Sequence, residues 1–240
     1  MVISPNQSRM TRRPVQLLLP APHTRGGRRA GAGRKLAPGR RPSVPHRPRP
    51  LHVAAQPVHV TLRAVEAIHC LRAPGVFPHV RRALAVSSRA DFRIIQFTVQ
   101  NDHVHLIAEA DASRALSSGL RGLAIRIARA VNRALGRRGR VWGDRYHARA
   151  LTTPRAVRNA LVYVVNNFRK HLRHVTGIDP CSSAAWFTGW REPPAAGVGP
   201  PPVAAARTWL ARVGWLRYGT IELDEGRSDT RRAPKRGRPG

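Results

Sequence analysis

Acidic residues are scarce in this chain: 12 Asp and Glu stand against 43 Lys and Arg in 240 residues, a formal net charge of +31. Such a balance excludes a polycation as partner and favours nucleic acid or another polyanion. Lysine is nearly absent too, at Lys35, Lys170 and Lys235 only, so the excess is arginine in a chain also rich in Ala, Gly and Pro, a pattern that coding bias alone would partly produce. Cysteine occurs twice, at Cys70 and Cys181, without the spacing of a metal knuckle or a redox pair. That fits a reduced, cytosolic setting. No apolar run reaches the roughly 18–20 residues of a membrane span, and Leu17-Leu18-Leu19 between Pro14 and Pro20 is too short for a secretory core. A soluble, cytoplasmic and nucleoid-associated protein is expected. A Gly-rich phosphate loop followed by Lys-Ser or Lys-Thr is also lacking, so nucleotide hydrolysis is not the expected chemistry.

What is present is a strongly ordered middle between basic ends. Residues 1–56 hold 12 Arg and Lys, no acid, and scattered Pro and Gly. They bury too little apolar surface to offset their ordering entropy and read as a disordered basic arm. Residues 57–175 are expected to form the main domain, 176–225 an extension with a Pro/Gly linker at 193–202 and a short helix within 203–217, and 226–240 a second basic tail. In the main domain, Pro57-Val-His-Val-Thr-Leu-Arg63 is a strand signal, and Val76, Val80, Ala83 and Leu84 give a helix over 74–90. Two β-rich runs around Asn101-Asp102 form a hairpin over about 92–110. A helix over about 113–136 has Asp111 and Ser113 as candidate caps and Leu116, Leu120, Leu123, Ile127, Val131 and Leu135 as its apolar stripe. Its other faces carry Arg114, Arg121, Arg126, Arg129 and Arg133, either a solvated surface or a phosphate-contacting one. Residues 141–151 read as a fourth strand, and Pro154 opens a helix to about Leu172. The order βαββαβ predicts an α+β, ferredoxin-like (split βαβ) antiparallel sheet with two helices on one face, plus a following helix.

Candidate chemistry lies on the hairpin and on that last helix. His103 and His105 alternate with Val104, so both imidazoles project from one face of a strand, where they can share one metal ion. A chain with 11 histidines yields such a pair by chance often enough that context must carry it, and two half-buried structural histidines would look the same. On the helix, Val157, Leu161, Val164, Val165, Phe168 and Leu172 form one stripe. Tyr163 and Asn167 fall roughly opposite it, four residues apart and therefore surface neighbours. Arg145, His147, Arg149, Arg169 and Lys170 flank the pair as candidate DNA contacts. Tyr146 is a second candidate hydroxyl, although it and His147 point to opposite faces of their strand.

Taken together, His103-Val-His105, the basic helix, the Trp142…Arg145-Tyr-His147 strand and the Tyr163-Val-Val-Asn-Asn167 helix resemble the single-tyrosine HUH transposases, of the insertion-sequence type and the REP-associated type. The resemblance covers roughly 57–175. It implies cleavage and rejoining of single-stranded or hairpin DNA, with Tyr163 as nucleophile, His103, His105 and Asn167 as metal ligands, Mg²⁺ or Mn²⁺ as the ion, a 5′-phosphotyrosine intermediate, and a homodimer as one assembly. The family's Pro-Asn-His-Val-His is replaced here by Gln100-Asn-Asp-His-Val-His105, and its Asn-Pro after the tyrosine by Asn167-Phe168, which marks a divergent branch. The competing reading is a non-catalytic nucleic-acid-binding protein of the same fold. If it bound RNA through sheet aromatics, those would alternate on the open face, whereas Phe92 and Phe97, an odd number apart, are expected to face opposite ways. A third reading, hydrolysis with water as nucleophile, would survive loss of Tyr163.

Overall fold

The period-2 pattern of residues 58–63 produces a strand whose valines and leucine are buried while His59 and Thr61 are half-buried. This strand, β1 (Val58–Arg63), is followed by α1 (Phe77–Ala85), β2 (Phe92–Val99), β3 (His103–Ala110), α2 (Ser113–Ala134), β4 (His147–Ala150), α3 (Pro154–Val165) and a short α4 (Trp209–Arg212). The computed structural model describes residues 50–166, 168 and 177–226. The expectations for 1–49 and 227–240, and for Asn167, Arg169 and Lys170, lie outside the described residues. The strands form one sheet in the order β2-β3-β1-β4, and each neighbouring pair is antiparallel. This is the split βαβ topology expected from the element order. Among the described residues, no helix is long and apolar enough to cross a membrane.

One sheet face carries the main core. Val58, Val60 and Leu62 of β1, Val104, Leu106 and Ala108 of β3, and Phe92, Ile94, Phe97 and Val99 of β2 pack with α1 and α2. The approach of α2 to the sheet depends on Gly119, where a Cβ would lie 2.3 Å from the Phe92 ring. Phe92 and Phe97 thus share a face, contrary to the parity expected from their spacing. A β-bulge between Ile94 and Gln96 adds one residue to β2 and reverses the alternation. Ile95, the extra residue, joins the second core on the opposite face.

That second core is built by α3 and the extension. Val157, Leu161, Val164 and Val165 of α3 pack with Ile95 and Ile107 of the sheet and with Phe187, Trp190, Ala211, Trp215 and Ile221. The chain on both sides of the Pro-rich 193–202 stretch also closes the free edge of β2: Val99 N donates to Cys181 O, Ser183 N to Phe97 O, and Ala204 N to Ile94 O. An uncovered edge would be open to pairing with other chains. Glu109, fully buried on β3, ties the extension down by accepting from Arg207 N at 2.8 Å, Thr208 N at 3.0 Å and Thr208 Oγ1 at 2.8 Å, while Arg93 lies against it at 3.3 Å.

Several local expectations are corrected. Regular helix α1 is shorter than 74–90, and α3 runs over Pro154–Val165 with Asn166 at its C-cap, the rest of the expected span to Leu172 lying mostly outside the described residues. The fourth strand is regular only over His147–Ala150, although Trp142 makes an isolated bridge to Ala64. Neither candidate cap closes α2. Its N-cap is Ala112, Asp111 pairs with Arg93 at 2.7 Å, and Ser113 Oγ accepts from His52 N. At α3, by contrast, Thr153 caps the helix by accepting from Ala156 N, with Pro154 following.

Candidate active site on the histidine face of the sheet

Residues facing α3 from β1 and β3 alternate with the core residues above, so the same pattern that buries Val60 and Val104 places His59, Thr61, His103 and His105 together on the other face. The register sets Thr61 opposite His105 and Arg63 opposite His103. His105 is 6% exposed, and His103 is half-buried. Their ring centroids are 4.6 Å apart with the rings near perpendicular.

Tyr163 reaches this cluster from α3. Its hydroxyl lies 3.0 Å from His105 Nε2, and the two ring centroids are 4.8 Å apart. The ring therefore faces the sheet. The polar side of α3 expected from the angular count is largely covered by the extension, and Asn166 is buried there, donating to the carbonyls of Glu222 at 3.0 Å and Glu225 at 3.1 Å. Tyr146 is on the other side of the sheet, packed against the α1/α2 core. That separates it from the histidines, as the alternation with His147 predicts.

Each histidine is oriented through Nδ1. His105 Nδ1 is 3.0 Å from Thr61 Oγ1, and His103 Nδ1 is 2.5 Å from Asp102 Oδ1, with Arg63 paired to the second oxygen of the same carboxylate. Burial works to raise Asp102, but the hydrogen bond from His103 and the charges of His103 and Arg63 outweigh it and hold the carboxyl below its ordinary range. In the neutral tautomer that donates Nδ1–H to these oxygens, each ring would present a lone pair at Nε2. Outer oxygen partners of this kind are what metal-binding histidines use to fix tautomer and ring orientation. The two imidazoles thus suit a divalent ion as a pair, although the His105 lone pair can receive the Tyr163 proton or a metal, not both at once. A third donor is needed. Among the described residues, no group of three or more His, Cys, Asp and Glu is placed to hold a metal ion.

His59 and Thr61 were not singled out from the sequence. The His59 ring stacks on His105 at 5.3 Å and meets Tyr163 edge-on at 5.7 Å. The signal was available in the alternation Val-His-Val-Thr-Leu-Arg, which puts His59, Thr61 and Arg63 on one strand face, but their distance from the His103/His105 pair along the chain concealed it. Of the candidate DNA contacts, His147 and Arg149 are exposed on β4 and pair with Thr61 and His59, which puts both on the histidine face beside the cluster. Arg145 is exposed just before β4, its backbone N donating to Asp144 Oδ1 at 2.7 Å.

Residues 58–167 match the family model described as "Transposase IS200 like". No curated protein matches the chain significantly. Seven chains among solved structures do. One of them, a REP-associated tyrosine transposase bound to a REP hairpin, is 20% identical over 57% of this chain and 81% of that chain, with a TM-score of 0.46. The matched stretch begins at β1 and runs just past the end of α3, so the part of the chain that is similar to IS200-like transposases is the part that contains the histidine pair and Tyr163.

Proposed function

We propose that the protein nicks and rejoins single-stranded DNA near hairpins through a covalent bond to Tyr163. The observation that carries this reading is the 3.0 Å approach of the Tyr163 hydroxyl to His105 Nε2, which brings the nucleophile to the histidine pair from a different element. A phenol with an ordinary pKa of about 10 is a weak nucleophile near neutrality. Before metal binds, His105, held by Thr61, orients the hydroxyl. The phenolic proton is lost to solvent, Tyr163 Oη bonds to phosphorus, the bond to the 3′ oxygen breaks, and that oxygen takes a proton to leave a free 3′ hydroxyl. The 5′ phosphate stays on the tyrosine, so its bond energy is retained and the reverse attack by a 3′ hydroxyl reseals a strand.

His103 and His105, with Asn167 as the third donor, would hold Mg²⁺ or Mn²⁺. When bound, the ion supplies charge neutralisation for the scissile phosphate. His147 and Arg149, exposed beside the cluster, contact the DNA backbone, with Arg145, Arg169 and Lys170 as further contacts.

The test is incubation of the full chain with Mn²⁺ and labelled hairpin-bearing strands, run on a denaturing protein gel. Wild type should carry label and Tyr163→Phe should not. Cleavage persisting in the variant without any adduct would overturn the tyrosine mechanism in favour of water as nucleophile.

A further inference from the structure

Exposed apolar side chains collect at one place in this molecule. Elsewhere among the described residues they stand singly or, at Leu51 and Val53, as a pair, which calls for no explanation. In the extension a run of ten residues holds Trp209, Val213, Leu216 and Tyr218, which are 37–51% exposed. Helix α4 and the 3-10 turn that follows it, Gly214–Tyr218, bury Ala211 and Trp215 in the second core. Trp209, Val213 and Leu216 succeed one another at intervals of four and three, so they share the outer face. An arginine lies over each of the two rings. The guanidinium carbon of Arg217 is 4.8 Å from the Trp209 centroid, and that of Arg155 on α3 is 5.1 Å from the Tyr218 centroid. Every ion pair among the described residues involves other cations than these two. The sequence from 203 to 221 contains no acid, and neither does α3.

We propose that this outer face of the extension is a docking surface for an acidic protein segment carrying apolar anchors. Trp, Tyr and Arg are the side chains that dominate binding energy between proteins. A guanidinium stacked on a ring keeps its N–H edge for a carboxylate and is ordered before the partner arrives, so less freedom is lost on binding. Val213 and Leu216, between the two aromatic positions, suit an apolar side chain of the partner. Single strands, by contrast, are held by open ring faces on which bases stack. Here arginine covers a face of each ring, a Cβ on Gly214 would lie 2.7 Å from the Trp209 ring, and the aliphatic pair gives a base nothing to stack on. A second copy of the chain is disfavoured by charge. A two-fold interface places the same patch on both sides, arginine facing arginine, in a molecule of formal charge +31. Apart from Arg155 the surface lies outside residues 58–167, and the inference does not depend on the chemistry at Tyr163.

The experiment measures, by fluorescence anisotropy, binding of the full chain to a short labelled peptide in which Asp and Glu flank a Leu-Phe pair. Two comparison peptides replace either the Leu-Phe pair or the acids by Ser. Wild type is compared with Val213→Ser/Leu216→Ser, which keeps the charge, with Arg155→Gln/Arg217→Gln, and with Arg129→Gln/Arg133→Gln on α2 as a charge-matched control. Both patch variants should bind the acidic apolar peptide roughly 10–30-fold more weakly, and the control should bind it as wild type does. Wild type should bind both comparison peptides more weakly than the first. All the substituted side chains are exposed, so melting temperatures should change little. Equal binding of the peptide without Leu-Phe, an equal fall in the control, or no binding of the acidic apolar peptide would overturn the proposal. So would a loss in Val213→Ser/Leu216→Ser that appears instead on oligothymidylate, on anionic vesicles or in self-association, each of which marks a different occupant. The Tyr163 adduct should form in both patch variants, and its absence from wild type would leave the peptide result standing.

Discussion

At the residue scale, His103 and His105 are each held in place by an oxygen partner. His105 is fixed by Thr61 at one nitrogen and meets Tyr163 at the other. Thr61→Val removes the first partner while keeping the shape of the side chain, and outer partners of metal-binding histidines are typically worth 10–100-fold in metal affinity or activity. Mn²⁺ titration of adduct formation should therefore shift to higher concentration by roughly 10–100-fold, with little change in melting temperature; an unshifted titration would remove Thr61 from the site. A second residue-scale prediction concerns the thiols. Burial pushes Cys181 up to about 11, so in the folded protein it stays protonated at pH 8. Iodoacetamide should label half-buried Cys70 well before Cys181, and denaturation should abolish the difference.

At the element scale, two packing contacts carry definite costs. Gly119→Ala drives a methyl into the Phe92 ring, and overpacking of this kind costs about 1–3 kcal/mol, measurable as a lower denaturant midpoint. Glu109→Ala strips the buried guanidinium of Arg93 of one partner and leaves the N-cap of α4 without its acceptor. Breaking a buried pair from one side costs about 3–5 kcal/mol. A loss below 1 kcal/mol in urea unfolding would contradict the role assigned to Glu109. Both contacts also show where the sequence was readable. The alternation of β1 and β3, the turn at Asn101-Asp102 and Pro154 at the start of α3 are local signals, and each predicted its element. The bulge at Ile95, which brings Phe92 and Phe97 to one face, has no local signature, because what fixes it is the packing of Ile95 under α3 and the bond from Ser183 to Gln96. Asp111 looked like a helix cap for the same reason: the pull of Arg93 comes from another strand.

For the whole molecule, the extension is what makes the sheet two-sided. Phe187, Trp190, Trp215 and Ile221 lie against α3, and they are remote from it in sequence, so neither the angular count on α3 nor the Pro-rich composition of 193–202 could reveal that its polar side would be covered. The His103/His105 pair and Tyr163 were visible as motifs, whereas His59 and Thr61 entered only once β1 was threaded between β3 and β4. Truncation after residue 175 should uncover this apolar surface and the β2 edge, giving an aggregating or non-cooperative protein in thermal melts; a soluble, cooperatively melting fragment would contradict the second core. Acid should weaken the whole fold as well. Arg93 holds the Asp111 carboxyl below its ordinary value, and Asp102 is depressed too, so their contribution is present above about pH 4 and is lost as pH falls through the lower folded values. Asp111→Asn should flatten that acid limb of the stability profile.

The central claim is that Tyr163 forms the covalent bond to DNA, and the chain makes it directly measurable. Its three tyrosines fall in different tryptic peptides, Tyr146 in 146–149, Tyr163 in 159–169 and Tyr218 in 218–227. Nuclease-trimmed adduct, digested and read by mass spectrometry, should carry its nucleotide phosphate on the 159–169 peptide. Nucleotide on the Tyr146 or Tyr218 peptide, or cleaved strand with no modified peptide, would contradict the mechanism.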